Sequence, residues 1–285
     1  MPLTPALREH LAALLGTPLL EDHALSGGDI AEVRAARCAD GRRLVIKLGA
    51  KGADLASEGA QLGRLAAAGV PVPKVWLAED AVLVMAQVEA GEALAGPAQE
   101  DLARLLAALH AQPQPFFGFE CATAVGGLVQ PNPPGARWIA FFAEHRLLAM
   151  AAQGVAAGRL PGVLAKRVET LAGRLERWLI EPPHPSLIHG DLWGGNVLCR
   201  GGKVAALIDP ALSYSHPEVE LAFGTLFSTL DEVFFDHYQR LLPIEPGFFE
   251  ERRALYTLYP LLVHVRLFGG GYVSQVDRLL SRFGV

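Results

Sequence analysis

The periodicity of the sequence changes near residue 88, and this change restricts the folds that the chain can adopt. Before it, short segments rich in Val, Ile and Leu alternate with turn residues, and one helical segment spans residues 55–68. Beyond it, helical spacing dominates, at residues 99–111, 137–153, 163–180 and from about 217 to the end. We therefore predict an α+β, two-lobed fold. Residues 1–88 form a small lobe with an antiparallel sheet and a helix, and residues 89–285 form a larger, mostly helical lobe.

Turn and cap residues mark where the predicted elements begin and end. A threonine precedes and a glycine follows a helical segment at residues 5–15. An Asp-Gly pair joins two β-type segments, which predicts a hairpin. Further short strands are expected at residues 74–78, 81–86 and 203–209. Residues 113–136 are rich in Pro, Gly and Asn and are predicted to form an ordered loop, and the connection between the lobes is expected at about residues 85–90.

Charge and cysteine usage exclude several classes of protein. The net charge of −5 argues against a partner that is nucleic acid or an anionic membrane surface. The three cysteines, Cys38, Cys121 and Cys199, are far apart and odd in number, which suggests neither a disulfide framework nor a zinc site. The first residues are a poor signal peptide, and no apolar run reaches membrane-spanning length. We therefore expect a cytoplasmic protein.

A polar, glycine-rich stretch at residues 187–198, LIHGDLWGGNVL, contains the densest group of candidate functional residues. Asp191 and Asn196 stand five positions apart within it, and a second acid, Asp209, ends a short apolar segment farther along. Oxygen ligands from separate loops suit Mg²⁺, which combines a few protein oxygens with substrate phosphates. The sequence therefore predicts Asn196 and Asp209 as Mg²⁺ ligands, and Asp191 as the base that orients a hydroxyl group and accepts its proton. For the loop alone, the alternative that these residues only cap turns stays open.

Two charged residues in the first lobe complete a plausible site for phosphoryl transfer. Lys47 ends an apolar strand segment, and Glu58 follows in the predicted helix. Lys47 is predicted to lie over the α- and β-phosphates of ATP, held there by an ion pair with Glu58. Each residue taken alone is better explained as a solvent-exposed charge. The order glycine pair, Lys, Glu, Asp-x-x-x-x-Asn and Asp, however, is the order that a kinase-like core requires.

Backbone groups are predicted to contact the rest of the nucleotide. No G-x-x-x-x-G-K-[ST] motif occurs, so a Walker-type phosphate loop is excluded, and Gly27 and Gly28 are the candidates for a hairpin that approaches phosphate. Four residues end the last strand of the first lobe: Met85, Ala86, Gln87 and Val88. The C=O group of Ala86 and the N–H group of Val88 are expected to contact the adenine edge. A connector without a ligand is the alternative.

These motifs resemble those of kinases, but not of protein kinases. HGD stands where protein kinases have HRD, IDP stands where they have DFG, and no A-P-E motif follows, as in the aminoglycoside and choline kinase-like group. The form of the loop with Trp193, together with residues 117–147, 208–222 and 258–272, is similar to the fructosamine kinase (ketosamine-3-kinase) family. The resemblance extends from Gly27 to Tyr272. It implies a protein-kinase-like fold, ATP and Mg²⁺ as cofactors, and phosphorylation of the sugar 3-hydroxyl of ketosamines, whose phosphates then break down and free the amine.

The resemblance also implies a role for each candidate residue. Asp191 matches the catalytic base of the family, Asn196 and Asp209 its metal ligands, and Lys47 and Glu58 its nucleotide ion pair. Residues 86–88 match the hinge. The sequence departs from the family in two places: Ala31 stands where relatives commonly have Asn, and Ala86 and Gln87 replace a frequent acidic-aromatic pair.

Several further residues near these motifs have two interpretations. His189 is expected to brace the loop through the backbone rather than to act in catalysis. Trp193 either contacts the sugar of the substrate or anchors the loop in the core. Residues 269–271, three glycines, either permit close approach of substrate or form a tight turn between helices. Three further residues are expected to brace the catalytic loop: His216, Glu218 and Glu220. His110 is expected to be structural.

The sequence is also compatible with two alternative functions. The first is a kinase with another small acceptor, such as an aminoglycoside or an amino alcohol. A polycationic acceptor is expected to bind among carboxylates, and residues 117–147 contain only Glu120 and Glu144 as acids. The second alternative, a nucleotide-binding regulator without catalysis, would be favoured if Asp191, Asn196 or Asp209 were missing. The sequence does not indicate which amine carries the sugar, whether glycated proteins are substrates, or the oligomeric state.

Overall fold

A computed structural model of the chain describes residues 3–25, 31–49 and 54–285. These residues form two compact units. The first comprises residues 1–93 together with 197–210, and the second comprises residues 94–196 together with 211–285. The division differs from the predicted boundary at residue 88 in two ways, because the first unit continues to Ala93 and also includes a segment from far along the sequence.

The described residues form strands and α-helices in the following chain order. The strands are β1 (Leu19–Ala24), β2 (Ala31–Cys38), β3 (Arg43–Gly49), β4 (Val75–Glu79), β5 (Val82–Ala86), β6 (Thr123–Val125), β7 (Leu128–Gln130), β8 (Ser186–Ile188), β9 (Val197–Arg200), β10 (Lys203–Leu207) and β11 (Ser213–Ser215). The helices are α1 (Pro5–Leu15), α2 (Leu55–Ala67), α3 (Pro97–His110), α4 (Trp138–Phe142), α5 (Ala149–Ala156), α6 (Gly162–Ala172), α7 (Pro217–Leu226), α8 (Glu232–Leu241), α9 (Arg253–Tyr256), α10 (Leu258–Phe268) and α11 (Gly271–Arg282). None of the helices in this part of the chain combines the length and apolarity needed to cross a bilayer.

The first unit is built on a five-stranded antiparallel sheet with the order β1-β2-β3-β5-β4. Side chains alternate between its two faces, as the pleat requires. One face packs with α1 around Leu11, Leu44 and Ile46. The other packs with α2 around Leu62 and Leu83. The helix and hairpin predicted here are present. Thr4 caps α1 by accepting from Leu7 N–H, and Gly16 ends the helix with a φ of 68°.

The edge strand β1 was not predicted, because its sequence LLEDHA lacks an apolar alternation. A buried charge pair explains its place in the sheet. The Asp22 side chain is almost fully buried and accepts from the Arg34 guanidinium of β2, with Nε to Oδ2 at 2.6 Å. Arg8 of α1 also contacts Asp22. Pairing of this kind stabilises a carboxylate in the interior that would otherwise be costly to bury.

The hairpin of β9 and β10 belongs to the first unit because its backbone is bonded to residues of that unit. Leu207 N–H donates to Pro71 O at 2.8 Å. Gly91 and Glu92 N–H both donate to Cys199 O, at 3.2 and 3.3 Å. These long-range bonds carry no local sequence signal, so the boundary at residue 88 could not include the hairpin.

The second unit is mostly helical, as predicted, with two short strand pairs added, β6–β7 and β8–β11. The region expected to be a loop at 113–136 contains the β6–β7 hairpin. The helix expected at 163–180 ends at Ala172 and is followed by one 3₁₀ turn. The helix expected at 137–153 is observed as α4, a π-helical segment Ala143–Leu148 and α5. The largest buried side chains of this unit are aromatic: Trp138, Phe142, Tyr214, Tyr238 and Tyr256. The first two pack with each other and with Tyr256, whereas Tyr214 packs with Phe119 and Tyr238 packs with Phe234.

Candidate active site

Lys47, Glu58 and Asp209 form a charge cluster inside the first unit. Lys47 Nζ donates to Glu58 Oε1 at 2.6 Å, so the ion pair expected between these two residues is present. Lys47 Nζ also donates to Asp209 Oδ1, a contact that the sequence did not predict. Lys47 lies on β3, Glu58 in the first turn of α2, and Asp209 just beyond β10. The sheet, the helix and the hairpin therefore converge on one ammonium group.

The environment of the cluster keeps Lys47 charged. Burial opposes the charge on the ammonium, but the Glu58 and Asp209 carboxylates outweigh burial, so the pKa of Lys47 is raised above its ordinary value. Burial raises the pKa of Glu58, which Lys47 opposes and Asp209 reinforces. The Asp209 side chain is 43% exposed and its backbone has a φ of 55°, in the left-handed region that few non-glycine residues adopt. The cluster thus combines a fixed cation with an accessible carboxylate.

The loop from His189 to Asn196 lies in the second unit, and hydrogen bonds among its own atoms help to order it. Asp191 N–H donates to His189 Nδ1 at 3.3 Å. Asn196 Nδ2 donates to Asp191 O at 2.8 Å and to Asp191 Oδ2 at 3.2 Å. The structure therefore brings Asp191 and Asn196 together, and it places His189 as the brace of the loop that the sequence favoured over a catalytic role.

Gly190 occupies a position that admits no side chain. Its φ is +83°, and a Cβ atom built on it would lie 2.0 Å from Ala211 O. Ala211 N–H in turn donates to His189 O at 2.8 Å. The strand pair of β8 and β11 continues this contact, with Ser213 opposite Ile188. The second residue of the His-Gly-Asp motif is therefore determined by close backbone approach.

Replacing Gly190 by alanine is expected to destabilise the second unit and displace Asp191. The left-handed backbone alone costs roughly 1–2 kcal/mol for a residue with a Cβ, and the contact with Ala211 O adds to that cost. The melting temperature and kcat should both fall. The matched control is Gly194→Ala, because a Cβ on Gly194 meets no atom of the described chain within 4 Å and should leave the melting temperature nearly unchanged. Equal melting temperatures for the two variants would contradict this explanation.

A buried relay of side chains fixes the loop from the side of α7. Glu220 Oε1 accepts from Gly190 N–H at 2.8 Å, and Glu220 Oε2 lies 2.9 Å from His110 Nε2. His110 Nδ1 is 2.8 Å from the Tyr238 hydroxyl. His110 is therefore structural, as expected, and Glu220 braces the loop. Tyr238 was missed, because an aromatic residue on a helix usually indicates only the core.

The other two residues expected to brace the loop have different partners, which corrects that prediction. His216 Nδ1 accepts from Glu218 N–H at 3.1 Å and so caps α7. Burial, with Arg252 and His110 adding to it, lowers the pKa of His216 to about 3, so the cap stays neutral. The Glu218 carboxylate receives two hydrogen bonds from the Arg252 guanidinium, at 2.6 and 2.7 Å. Both residues thus order the start of α7 rather than the loop.

Trp193 is 47% exposed, so it does not anchor the loop in the core. Its ring instead covers the backbone of its own loop, since a Cβ built on Gly195 would lie 2.3 Å from the indole. This packing explains the second glycine of the Gly-Gly pair. It also leaves an indole face on the surface of the unit, beside Asp191 in the sequence.

The remaining predicted residues are placed as follows. The N–H groups of Ala86 and Gln87 are used by the sheet, donating to Lys74 O and Arg43 O. Met85 is buried against α2, and Val88 N–H has no hydrogen-bond partner within the described ranges. Gly27 and Gly28 lie outside the described residues. The glycines at 269–271 join α10 to α11, where Gly269 and Gly270 have φ values of 63° and 58°, so they form the tight turn between helices.

The chemistry of the predicted metal ligands fits Mg²⁺. Among the described residues no group of three or more His, Cys, Asp or Glu side chains could hold a metal ion. Mg²⁺ instead binds through one or two carboxylates with phosphates and water. The amide nitrogen of Asn196 is used within the loop, which leaves its oxygen as the atom for a ligand. Asp209 retains an accessible carboxylate.

Similarity to known proteins extends over almost the whole chain. A family model described as Fructosamine kinase matches residues 4–283. A probable ketoamine kinase of Synechocystis is 40% identical over 183 residues, which cover 62% of this chain but only 59% of that protein. A probable ketoamine kinase of Staphylococcus aureus is 32% identical over 90% of this chain and 91% of that protein.

Solved structures show the same relationship. A "putative fructosamine-3-kinase" of Thermobifida fusca superposes with a TM-score of 0.87 at 31% identity, covering 98% of this chain and 99% of that one. An ADP-bound aminoglycoside phosphotransferase superposes with a TM-score of 0.66 at 17% identity, covering 98% and 97% of the two chains, and this likeness shows the fold alone. The predicted α+β, kinase-like fold is therefore confirmed.

Proposed function

The chain belongs to the fructosamine kinase family, whose members are phosphotransferases that act on a hydroxyl group, and from this we propose that it phosphorylates ketosamines. The acceptor in this proposal is the 3-hydroxyl of the sugar in a fructosamine or ribulosamine adduct of an amine. ATP is the phosphoryl donor. The family match over residues 4–283 carries the proposal, because it includes the Lys47 charge cluster and the whole loop from His189 to Asn196.

The residues of the second unit act on the acceptor in this proposal. Asp191 orients the acceptor hydroxyl and accepts its proton as the oxygen–phosphorus bond forms. Asn196 holds the Asp191 backbone and side chain in place through its amide nitrogen. Phosphoryl transfer passes through a loose transition state, so positioning and charge stabilisation contribute more than proton removal. Trp193 contacts the sugar with its exposed indole face.

The residues of the first unit act on the nucleotide. Lys47, held by Glu58, neutralises charge on the phosphates that are not transferred, and the backbone of Ala86 and Val88 contacts the adenine edge. Asn196 and Asp209 would hold Mg²⁺, which would supply positive charge to the phosphates. Gly27 and Gly28 keep their sequence-based role, a backbone approach to phosphate.

The biological setting is part of the same proposal. Phosphorylation of a ketosamine at its 3-hydroxyl makes the adduct break down and frees the amine, which would be a deglycation activity. Free glycated amines and glycated proteins are both candidate substrates. We place this activity in the cytoplasm.

Incubation with Mg-ATP and a panel of acceptors tests the proposal. The panel holds a fructosyl-amine, a ribulosyl-amine, an aminoglycoside and choline, and product is detected by mass. We expect a mass increase of one phosphate on the two ketosamines only. Phosphate on the aminoglycoside or choline alone would reject the proposed acceptor while leaving the kinase assignment intact.

One observation bears on the alternative of a polycationic acceptor such as an aminoglycoside. Of the two acids in residues 117–147, Glu120 already accepts a hydrogen bond from the Tyr214 hydroxyl. Glu144 is exposed, and His145 is its neighbour at 3.8 Å. Neither arrangement provides the cluster of carboxylates that a polycation would require, and this supports a sugar headgroup as acceptor.

A further inference from the structure

We infer that a buried chain of directed hydrogen bonds, beginning at Arg146 and Tyr259 and ending on the carbonyls of Ala211 and Leu212, positions the catalytic loop. The inference rests on the proposed function, since it takes Asp191 as the residue to be positioned. It assigns positioning roles to side chains that do not touch the reacting atoms.

The hydrogen-bond chain starts at an arginine whose charge is buried without a carboxylate partner. Arg146 is 2% exposed, and no carboxylate within the described ranges lies at ion-pair distance from it. Its guanidinium donates to Pro131 O at 2.7 Å and to Asn132 Oδ1 at 2.6 Å. It lies in the π-helical segment Ala143–Leu148. This conformation is rare in proteins overall, and where it occurs it is often at a functional site. A buried charge is costly unless it is hydrogen-bonded, and here the carbonyl of Pro131 and the side-chain oxygen of Asn132 supply those bonds.

The arginine sets the direction of the bonds that pass through Asn132, because a guanidinium only donates. The Oδ1 atom of Asn132 must face Arg146, so its Nδ2 atom donates to Thr123 Oγ1 at 2.9 Å. The Thr123 hydroxyl also accepts from Gln130 Nε2 at 2.9 Å. With both acceptor positions filled, its single hydrogen is directed to Leu212 O, at 3.1 Å. Bonds aligned in this way polarise and strengthen one another.

A second branch starts at Tyr259 and reaches the neighbouring carbonyl. The Tyr259 hydroxyl donates to Gln130 Oε1 at 2.7 Å, and Gln130 Nε2 donates to Ala211 O at 3.4 Å. Burial raises the pKa of Tyr259 to about 12, Arg146 opposes the increase and Asp191 adds to it. Tyr259 therefore keeps its proton and its donor role at neutral pH, and it lies within electrostatic reach of the catalytic carboxylate.

Ala211 is in direct contact with the catalytic loop, and Leu212 is the residue that follows it. Ala211 N–H donates to His189 O at 2.8 Å, and Ala211 O approaches the backbone of Gly190 so closely that no Cβ fits. The segment at 211–212 thus lies between the hydrogen-bond chain and the residue before Asp191. A change in the direction of the Ala211 and Leu212 carbonyls would move the loop, and displacement by about 1 Å can cost on the order of 10²-fold in rate.

Three variants separate a positioning role from a packing role. Thr123→Val keeps the shape of the side chain and removes the hydroxyl, whereas Thr123→Ser keeps the hydroxyl and removes a methyl group. We expect kcat to fall about 10- to 100-fold in Thr123→Val, with KM for ATP within about twofold of the wild type, and to stay near the wild-type value in Thr123→Ser. Thr257→Val is the matched control, because the buried Thr257 hydroxyl donates only to Ala254 O of its own helix region, at 2.7 Å. Its kcat should be unchanged.

Asn132→Asp tests the direction of the hydrogen-bond chain, because it replaces the amide group that donates to Thr123 Oγ1 and to Cys121 O, at 2.9 and 3.1 Å. The introduced carboxylate would form an ion pair with Arg146, which offsets the lost bond to Cys121 O, so the melting temperature should stay close to that of the Thr257→Val control. The variant cannot donate to Thr123, so the Thr123 hydroxyl would turn from Leu212 O towards the carboxylate. We expect kcat to fall about 10-fold or more, with KM for ATP unchanged.

The outcomes distinguish this inference from the proposed function. Variants are assayed with whichever acceptor the wild-type protein phosphorylates, or by the hydrolysis of ATP to ADP if it phosphorylates none. Lack of turnover with ketosamines would reject the proposed acceptor, and the comparison among variants would remain valid. If Thr123→Val and Asn132→Asp keep kcat within about twofold of the wild type, or if Thr123→Ser loses as much as Thr123→Val, the positioning role is wrong and the network is structural only.

Discussion

Replacing Asp191 by alanine is expected to lower kcat on the order of 10²–10⁴-fold, the range for a positioned acid–base group. ATP affinity should change little, because Asn196 keeps its 2.8 Å hydrogen bond to the backbone oxygen of residue 191 when the side chain is removed. The Lys47 cluster lies in the other unit, where Lys47 keeps its hydrogen bonds to Glu58 and Asp209. The variant should therefore bind nucleotide and fail to transfer the phosphoryl group.

Steady-state kinetics and nucleotide titration measure the two effects separately. The matched control is Glu144→Ala, which removes a carboxylate that is 73% exposed and lies in the same unit. Its kcat should equal that of the wild type. Near-normal turnover in Asp191→Ala would reject the assignment of Asp191 as the catalytic base, whatever acceptor is used.

Replacing Lys47 by methionine is expected to lower kcat/KM for ATP about 10- to 100-fold, because a hydrogen bond to a charged group contributes roughly 1.5–3 kcal/mol and tenfold in rate corresponds to about 1.4 kcal/mol. The same change leaves the carboxylates of Glu58 and Asp209 without the ammonium that they share. The variant should therefore also become less stable as the pH rises.

The sign of this pH dependence follows from Glu58. Burial raises its pKa in the folded protein, and Lys47 opposes that increase, so removing Lys47 raises the pKa further. A carboxyl group with a raised folded-state pKa contributes its full stability below its unfolded pKa of about 4.3, and that stability is lost as the pH rises through the folded value. The melting temperature of Lys47→Met should fall between acidic and neutral pH more than that of the wild type.

The double variant Lys47→Met with Glu58→Gln separates stability from nucleotide use. It removes the buried carboxylate along with the ammonium, so the pH-dependent loss of stability should largely disappear. Turnover should not recover, because the cation on the phosphates is still missing. Recovery of kcat/KM for ATP in the double variant would show that Lys47 acts only by stabilising the fold.

Local patterns were sufficient to predict the hairpin of β2 and β3, helix α1 with its caps, and the ion pair of Lys47 with Glu58. Each depends on spacing within a short segment or on chemistry between a few residue types. Strand β1 was missed because its burial depends on Asp22 meeting Arg34 of the next strand. The β6–β7 hairpin was missed because its strands are three residues long and lie among prolines and glycines.

The sequence alone identified the chemical groups and the family, because the His-Gly-Asp loop, its Asn and the later Asp are readable as a pattern of residue types. Only the tertiary structure revealed which of these groups are held, and by what. The bond from Lys47 to Asp209, the relay from Tyr238 to Gly190 and the chain from Arg146 to Leu212 each join residues far apart along the sequence. Burial of polar groups makes such bonds obligatory, but which partners meet depends on how the chain packs, and no local pattern records that packing.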